Sequence, residues 1–284
     1  MTQVETNAHR ARKLKIATTN QISPGERTPT QESTLMTEDW IEGQVVGLRH
    51  WSDNLYSLKI DAPLQSFVAG QYIKLALDID EKRVGRPYSL VNAPEERPLE
   101  IYFNEVPDGP LSPRLSDLAI GDRLWVSAKA GGVFTMDNVV SRRHLWMLAT
   151  GTALGVYLSL LKTPEPWERF ERVILIQGAR HSGELTYPET IAKLKDQFGE
   201  RFTFISTLTR EQQPGPSLQG RITSLLEQGA LEQAADAKIS AKDSHLMLCG
   251  NSAMIKEVRA WLEAKGLHRH KRTEPGHYTT EQYH

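Results

Sequence analysis

The hydrophobic period of the chain changes once, near residue 140, and that change constrains the fold more than any single motif. Before it, short apolar-polar alternations recur at even spacing: Ile41 to Leu48, Leu55 to Ile60, Gln71 to Leu77, Arg86 to Val91, Leu99 to Phe103 and Arg123 to Ser127. Period-two alternation is the mark of half-buried strands. Turn residues at 61–63, 69–70, 92–94 and 107–109 separate them, so the segment predicts a small antiparallel β-barrel, interrupted by one short helix from Ser112-Pro113. Beyond residue 140, strands at His144 to Ala149, Val173 to Ala179, Phe202 to Leu208 and His245 to Cys249 alternate with helices. The helices fall near Thr152 to Leu161, Tyr187 to Phe198, Ile222 to Gln228 and Ala253 to Lys265. Such alternation predicts a doubly wound parallel sheet, an α/β domain. The chain of 284 residues is long enough for two packed cores, with boundaries expected at 36–138 and 139–284.

Residues 1–35 differ from both halves. They are rich in Thr, Gln, Ser, Asn and Pro, carry a basic cluster at Arg10, Arg12, Lys13 and Lys15, and show no periodicity. A disordered extension is expected there, with Met36, directly before the first predicted strand, read as the usual start. A net charge of -1 gives no reason to expect nucleic acid as a partner. A lone cysteine, Cys249, excludes an internal disulfide and a Cys-ligated zinc or iron-sulfur centre, and no metal is expected. No apolar run approaches the roughly 20 residues that span a bilayer, and no export signal is apparent. A cytoplasmic protein is expected.

Two motifs carry chemistry. Arg86, Pro87, Tyr88 and Ser89 place a cation, an aromatic ring and a hydroxyl together on one barrel strand, a set that suits a flavin nucleotide. Gly109-Pro110-Leu111-Ser112 then enters the short helix and offers a second phosphate cradle beside Arg86. Downstream, Gly151-Thr152-Ala153-Leu154-Gly155 follows the apolar strand Leu145 to Ala149. A glycine-rich strand-to-helix turn suits the phosphates of a second nucleotide, although the full G-x-G-x-x-G is absent. A tight connection without a ligand is the competing reading. The strand ending at Ala179 is followed by Arg180, not by the acidic residue that would bond a ribose 2'-hydroxyl. With Arg210 and Arg221, it offers three guanidinium groups to a 2'-phosphate, which favours NADP. Cys249 closes the last predicted strand, beside a nicotinamide if one binds there; a buried structural cysteine is the plainer reading.

Together these residues resemble the ferredoxin-NADP reductases, most closely the bacterial flavodoxin/ferredoxin-NADP reductase branch, over residues 36–284. The resemblance is carried by R-P-Y-S at 86–89, G-P-L-S-P-R-L at 109–115, L-W-M-L-A-T-G-T-A-L-G at 145–155, and Arg180. It continues through T-R-E at 209–211, G-R-I at 220–222, M-L-C-G-N at 247–251 and P-G-H-Y-T-T-E-Q-Y at 275–283. It implies an FAD held by the barrel, with Tyr88 stacked on the isoalloxazine, Ser89 near N5, and Arg86 with Pro110 to Ser112 on the pyrophosphate. Tyr102 is expected among the FAD contacts, and the carboxyl-terminal tail, ending in His284, over the flavin nucleotide. NADP would lie on Gly151, Thr152, Arg180, Arg210, Arg221 and Cys249, with Thr152 near the FAD as well. Ser89, Cys249 and Glu281 are the implied catalytic residues, with Glu281 in proton delivery.

The chain departs from the family pattern at Val156 and Ser252, where proline is frequent, and at His284, where a terminal tryptophan is common. The implied reaction takes a hydride from NADPH onto the flavin and releases electrons singly to ferredoxin or flavodoxin. Arg49, Lys74 and Arg114 are candidates for steering an acidic carrier, and a monomer is expected. An oxygenase reductase of the same fold, a flavin-bearing sensor, and an NADP-binding scaffold without FAD are the alternatives.

Overall fold

A computed structural model describes residues 39–211 and 217–282. The expectations for residues 1–35, Met36 and His284 therefore lie outside the described residues. The described residues form one compact unit built on two six-stranded sheets.

The first sheet holds β1 (Trp40–Ser52), β2 (Leu55–Asp61), β3 (Tyr72–Ile79), β4 (Lys82–Ser89), β5 (Leu99–Asn104) and β6 (Arg123–Ser127), with helix α1 (Ser112–Ser116) between the last two. Its order is β4-β3-β6-β1-β2-β5, with every pairing antiparallel. An antiparallel bridge from Leu90, just past β4, to Ile101 in β5 joins the two edges and makes the sheet a barrel. Closure removes the exposed edges that an open sheet would present. Inward residues such as Leu58, Ile60, Ile73, Leu75, Leu99, Ile101, Phe103 and Val126 form its core.

The β3–β4 hairpin corrects the expected strand. β4 begins four residues before Arg86 and ends at Ser89, and its turn is Asp80-Glu81, both at positive φ (48° and 61°). Positive φ at both turn positions matches a tight hairpin's twist. Glycine or asparagine normally advertises such a turn, so the Asp-Glu pair hid it.

The second sheet holds β7 (His144–Thr150), β8 (Arg172–Ala179), β9 (Phe202–Leu208), β10 (Leu218–Gln219), β11 (Ser244–Gly250) and β12 (Tyr278–Gln282). All pairings are parallel, in the order β10-β9-β8-β7-β11-β12. Helices α2 (Leu154–Leu161), α3 (Glu165–Arg169), α4 (Pro188–Phe198), α5 (Ile222–Glu227), α6 (Ala230–Ala235) and α7 (Ser252–Ala264) connect the strands. β7 and β11 are almost wholly buried, as central parallel strands covered on both faces must be. Short β10, β12, α3 and α6 were not foreseen, because each is too short for a period to register. The chain winds outward from β7 to β10 and returns to β11, so the winding direction reverses between β7 and β11. A sheet of this kind binds ligands outside the strand ends at that switch point.

The two sheets meet along a continuous apolar seam. Leu55, Val91, Tyr102, Phe134 and Met136 from the first half share one core cluster with Leu154, Val156, Leu158 and Leu161 of α2. All eight residues of α2 are buried, which is how a helix covered on every side reads. Polar stitches reinforce the seam: Ser159 Oγ donates to Asn92 O at 2.5 Å, and Lys162 Nζ to Val91 O at 3.1 Å and Glu96 Oε2 at 2.8 Å.

Candidate active site between the two sheets

None of the eight residues of β4 is buried, whereas its neighbour β3 buries Ile73, Leu75 and Ala76. A barrel strand with neither face fully covered is a platform waiting for something flat. Arg86 and Pro87 are exposed, and Tyr88 and Ser89 are half-buried at the strand end. The Tyr88 ring meets Phe103 edge-on at 5.9 Å, and burial pushes its phenol up to about 12, so it stays neutral. Arg86 spends one N–H on the Gly85 carbonyl, at 2.7 Å. In the neighbouring cradle, Leu111 sends its side chain into the barrel core, leaving only its backbone for a ligand. Ser112 Oγ accepts from Val106 N at 2.9 Å, and Arg114 donates to the Pro110 carbonyl at 2.8 Å.

Tyr102 is not brought to this group. Adjacent residues of a strand face opposite sides: Phe103 points inward towards Tyr88, so Tyr102 points outward, into the seam. There Thr186 Oγ1 donates to its hydroxyl at 3.0 Å.

Two residues beyond Ser89, Val91 packs on the other half. The two glycines of the Gly151 turn have separate jobs there. Gly151 has φ +58° with nothing within 4 Å of where a Cβ would point, whereas a Cβ on Gly155 would lie 3.2 Å from Val91 and 3.4 Å from Tyr102. Gly155 is thus a packing glycine, whereas Gly151 takes the turn's left-handed backbone and leaves open space beside it. Gly151 to Ala153 form a single 3-10 turn with Thr152 half-buried, lying against β5, β7, β8 and β11.

Across the switch point, Cys249 is fully buried and in register with Ala149 of β7 on one side and Glu281 of β12 on the other. Register partners in parallel strands share a face, so the two expected catalytic residues are neighbours. Glu281 is half-buried, its Oε2 has no hydrogen-bond partner among the described residues, and desolvation raises its carboxyl to about 7. Just beyond, Gly250 has φ +121° and a Cβ there would collide with Thr150. Thr150 Oγ1 accepts from Asn251 N at 2.8 Å. Thr150 thus ties β7 to β11 at the crevice, a role that sequence alone did not suggest.

The three arginines gather at the outer strand ends. Arg210 N donates to Arg180 O at 2.9 Å, and Gly220 N to Leu208 O at 2.8 Å, which sets Arg221 beside the end of β9. All three are exposed, and among the described residues none of their guanidinium groups pairs with a carboxylate. Glutamates hold the backbone instead: Glu184 accepts from Arg180 N at 2.9 Å, and Glu211 from Ser182 N and Oγ at 2.6 and 3.0 Å. Of the candidate steering residues, Arg49 stacks on Trp51 at 3.4 Å and Lys74 lies in β3. The uncovered β4 platform, the open Gly151 turn, the unpaired arginines and the orphaned Glu281 oxygen fit two nucleotides meeting at the seam.

Fold and site define a two-domain flavin- and pyridine-nucleotide-dependent oxidoreductase. Two family models agree: an oxidoreductase FAD-binding domain matches residues 49–134 and an oxidoreductase NAD-binding domain residues 147–260. The chain is 42% identical over 246 residues to the flavodoxin/ferredoxin–NADP reductase of Escherichia coli, covering 86% of this chain and 99% of that one. It is 36% identical over 259 residues to the ferredoxin–NADP reductase of Pseudomonas aeruginosa, covering 88% and 97%. A ferredoxin NADP+ reductase from Neisseria gonorrhoeae, solved with bound FAD and NADP, superposes with a TM-score of 0.81 at 28% identity, covering 86% of this chain and 98% of that chain. The chain belongs to the flavodoxin/ferredoxin–NADP reductase family.

Proposed function

We propose a division of labour among the residues of this FAD- and NADP-dependent reductase, which moves electrons between NADPH and ferredoxin or flavodoxin. Bound FAD supplies the exchange between a two-electron hydride and single electrons. Tyr88 offers its ring face to the isoalloxazine and Ser89 a hydroxyl at its edge, while Arg86 and the backbone of Pro110 to Ser112 take the pyrophosphate. Gly151 and Thr152 receive the pyridine nucleotide at the switch point, over Cys249. Glu281, protonated near neutrality, holds a proton one register step from Cys249. The apolar seam excludes water between the two platforms, and orientation at close range supplies most of the rate. The functional halves are residues 36–138 and 139–284. Exposed Arg49 and Arg114, with half-buried Lys74, steer an acidic carrier to a monomeric enzyme of the cytoplasm; among the described residues no helix is long and apolar enough to cross a membrane.

The observation that carries the NADP reading is the gathering of Arg180, Arg210 and Arg221 without a carboxylate partner. A charged hydrogen bond is worth about 1.5–3 kcal/mol, so two of them amount to more than about a hundredfold in affinity. Replacing Arg180 and Arg210 by alanine is expected to raise the Michaelis constant for NADPH by about that factor and to leave that for NADH nearly unchanged. Equal effects on both nucleotides would remove the 2'-phosphate assignment.

A further inference from the structure

Tyr187, directly before α4, has φ +57° and ψ +37°, a left-handed conformation that costs a bulky residue about 1–2 kcal/mol. Strain of this kind persists where the surroundings over-determine it. Here they do. The ring lies tilted on Trp51 at 4.7 Å and meets Tyr102 edge-on at 5.3 Å, and the residue is 6% exposed. Three hydrogen bonds then run in one direction. Trp51 Nε1 donates to Ser57 Oγ at 2.6 Å, the Ser57 hydroxyl lies 2.6 Å from the Tyr187 hydroxyl, and Tyr187 donates to Glu100 Oε1 at 2.8 Å. Because the Tyr187 proton goes to Glu100, the Ser57 proton goes to Tyr187, and each hydroxyl uses its single donor. Burial, with the Glu100 charge next, holds the Tyr187 phenol well above its ordinary range, so the chain keeps this polarity at any working pH.

The ring and hydroxyl partners of Tyr187 named above belong to the outer wall of the barrel: Trp51 to β1, Ser57 to β2, Glu100 and Tyr102 to β5, with Ser57 and Tyr102 in register. Tyr187 itself ends the loop that begins with Arg180. That loop is pinned at three further points, by Glu184 on Arg180 N, by Gln177 Nε2 on Glu184 O at 3.3 Å, and by Glu211 on Ser182. Thr186 Oγ1 on the Tyr102 hydroxyl at 3.0 Å and the exposed Arg49–Glu189 ion pair at 3.7 Å tie the same segment to the barrel, and α2 adds its own stitches on residues 91–96.

We propose that Tyr187 is a positioning residue for the electron-transfer reaction: its clasp on β2 and β5 fixes the separation of the nucleotide-binding strand ends from the flavin platform. It touches neither cofactor. The proposal rests on the functional reading above and adds a residue which that reading does not use.

Tyr187→Phe keeps the ring and its packing but leaves Ser57 and Glu100 without the bridging hydroxyl. Wild type loaded with FAD is first mixed anaerobically with NADPH, and bleaching of the flavin absorbance gives the limiting rate. In Tyr187→Phe that rate is expected to fall by about tenfold, equal to about 1.4 kcal/mol. Half-saturating NADPH, and the affinity of the nucleotide-free protein for 2'-phospho-AMP, are expected to stay within about twofold, about 0.4 kcal/mol. Amide hydrogen exchange of the protein without nucleotide should quicken on both sides of the clasp, in 55–60 and in 186–191. Ser57→Ala is expected to give the same signature and, combined with Tyr187→Phe, to add little, since partners in one network are not additive. It also carries the test should Tyr187→Phe not fold. A limiting rate close to wild type, a loss confined to NADPH affinity, or exchange that opens 186–191 alone overturns the proposal. Wild type that NADPH does not bleach would instead overturn the functional reading, and with it this one.

Discussion

At the scale of single residues, the pairing of Cys249 with Glu281 has the clearest consequences. A carboxyl raised to about 7 by desolvation binds its proton in the folded state between the ordinary glutamate range and neutrality, where the unfolded chain has released it. Stability from this group is therefore present at low pH and lost as pH rises through about 7. Glu281→Gln cannot ionise. Denaturant melts at pH 5 and pH 8 should show the variant gaining on wild type between the two, by about 2 kcal/mol after allowance for partial exposure. An unchanged difference would place the proton elsewhere. Cys249 was legible as a strand-end residue because an apolar run leads into it. Its neighbour was not legible as a neighbour, because Tyr278 to Gln282 is a five-residue edge strand, paired along its length with β11 and bridged on its other side to Arg269 at Tyr278, and nothing in Tyr-Thr-Thr-Glu-Gln demands that pairing.

At the scale of elements, helix α7 shows how one residue serves both fold and site. Asn251 Oδ1 accepts from Ala253 N at 3.0 Å and Met254 N at 3.2 Å, a side-chain N-cap, while its own N–H goes to Thr150. Asn251→Ala is expected to cost about 1 kcal/mol, read as a lowered melting temperature; Asn251→Asp, which keeps the acceptor, should recover most of it. The long periodic elements, β7, β8, β9, β11, α4 and α7, were all readable to within about two residues. α2 was readable as a helix by length, but its burial on every side was not, since a sequence reports that a helix is apolar and not what covers it. Likewise Arg180, Arg210 and Arg221 could be named from strand ends, whereas their mutual tethering needs the β8–β9 register. The Asp80-Glu81 turn failed for a local reason: its positive φ values are imposed by the hairpin and not invited by the residues.

At the scale of the whole molecule, the end of the parallel sheet opposite the site holds a buried histidine that weakens the fold in acid. His245 is fully buried, its Nδ1 accepting from Val140 N at 3.4 Å and its ring edge-on to His270. Desolvation first, then the charges of His270, Arg142, His277 and Arg169, lowers it to about 3. The unfolded chain binds this proton below about 6.5 and the folded chain does not until about 3, so stability falls as pH drops through that window, by up to about 1.4 kcal/mol per unit from this group. Urea melts of wild type and His245→Gln at pH 7 and pH 5 should show a smaller acid loss in the variant, whatever its stability at pH 7.

The seam bears on how a protein like this can be altered. Because Leu55, Val91, Tyr102, Phe134 and Met136 share one core with α2, the nucleotide half is not a cassette. Exchanging it for the corresponding half of another reductase, to change coenzyme or speed, would import a helix whose every face was shaped against a different barrel. If Arg180, Arg210 and Arg221 hold the 2'-phosphate as proposed, a change of nucleotide preference is expected at these exposed strand ends, which lie away from the fit between the halves.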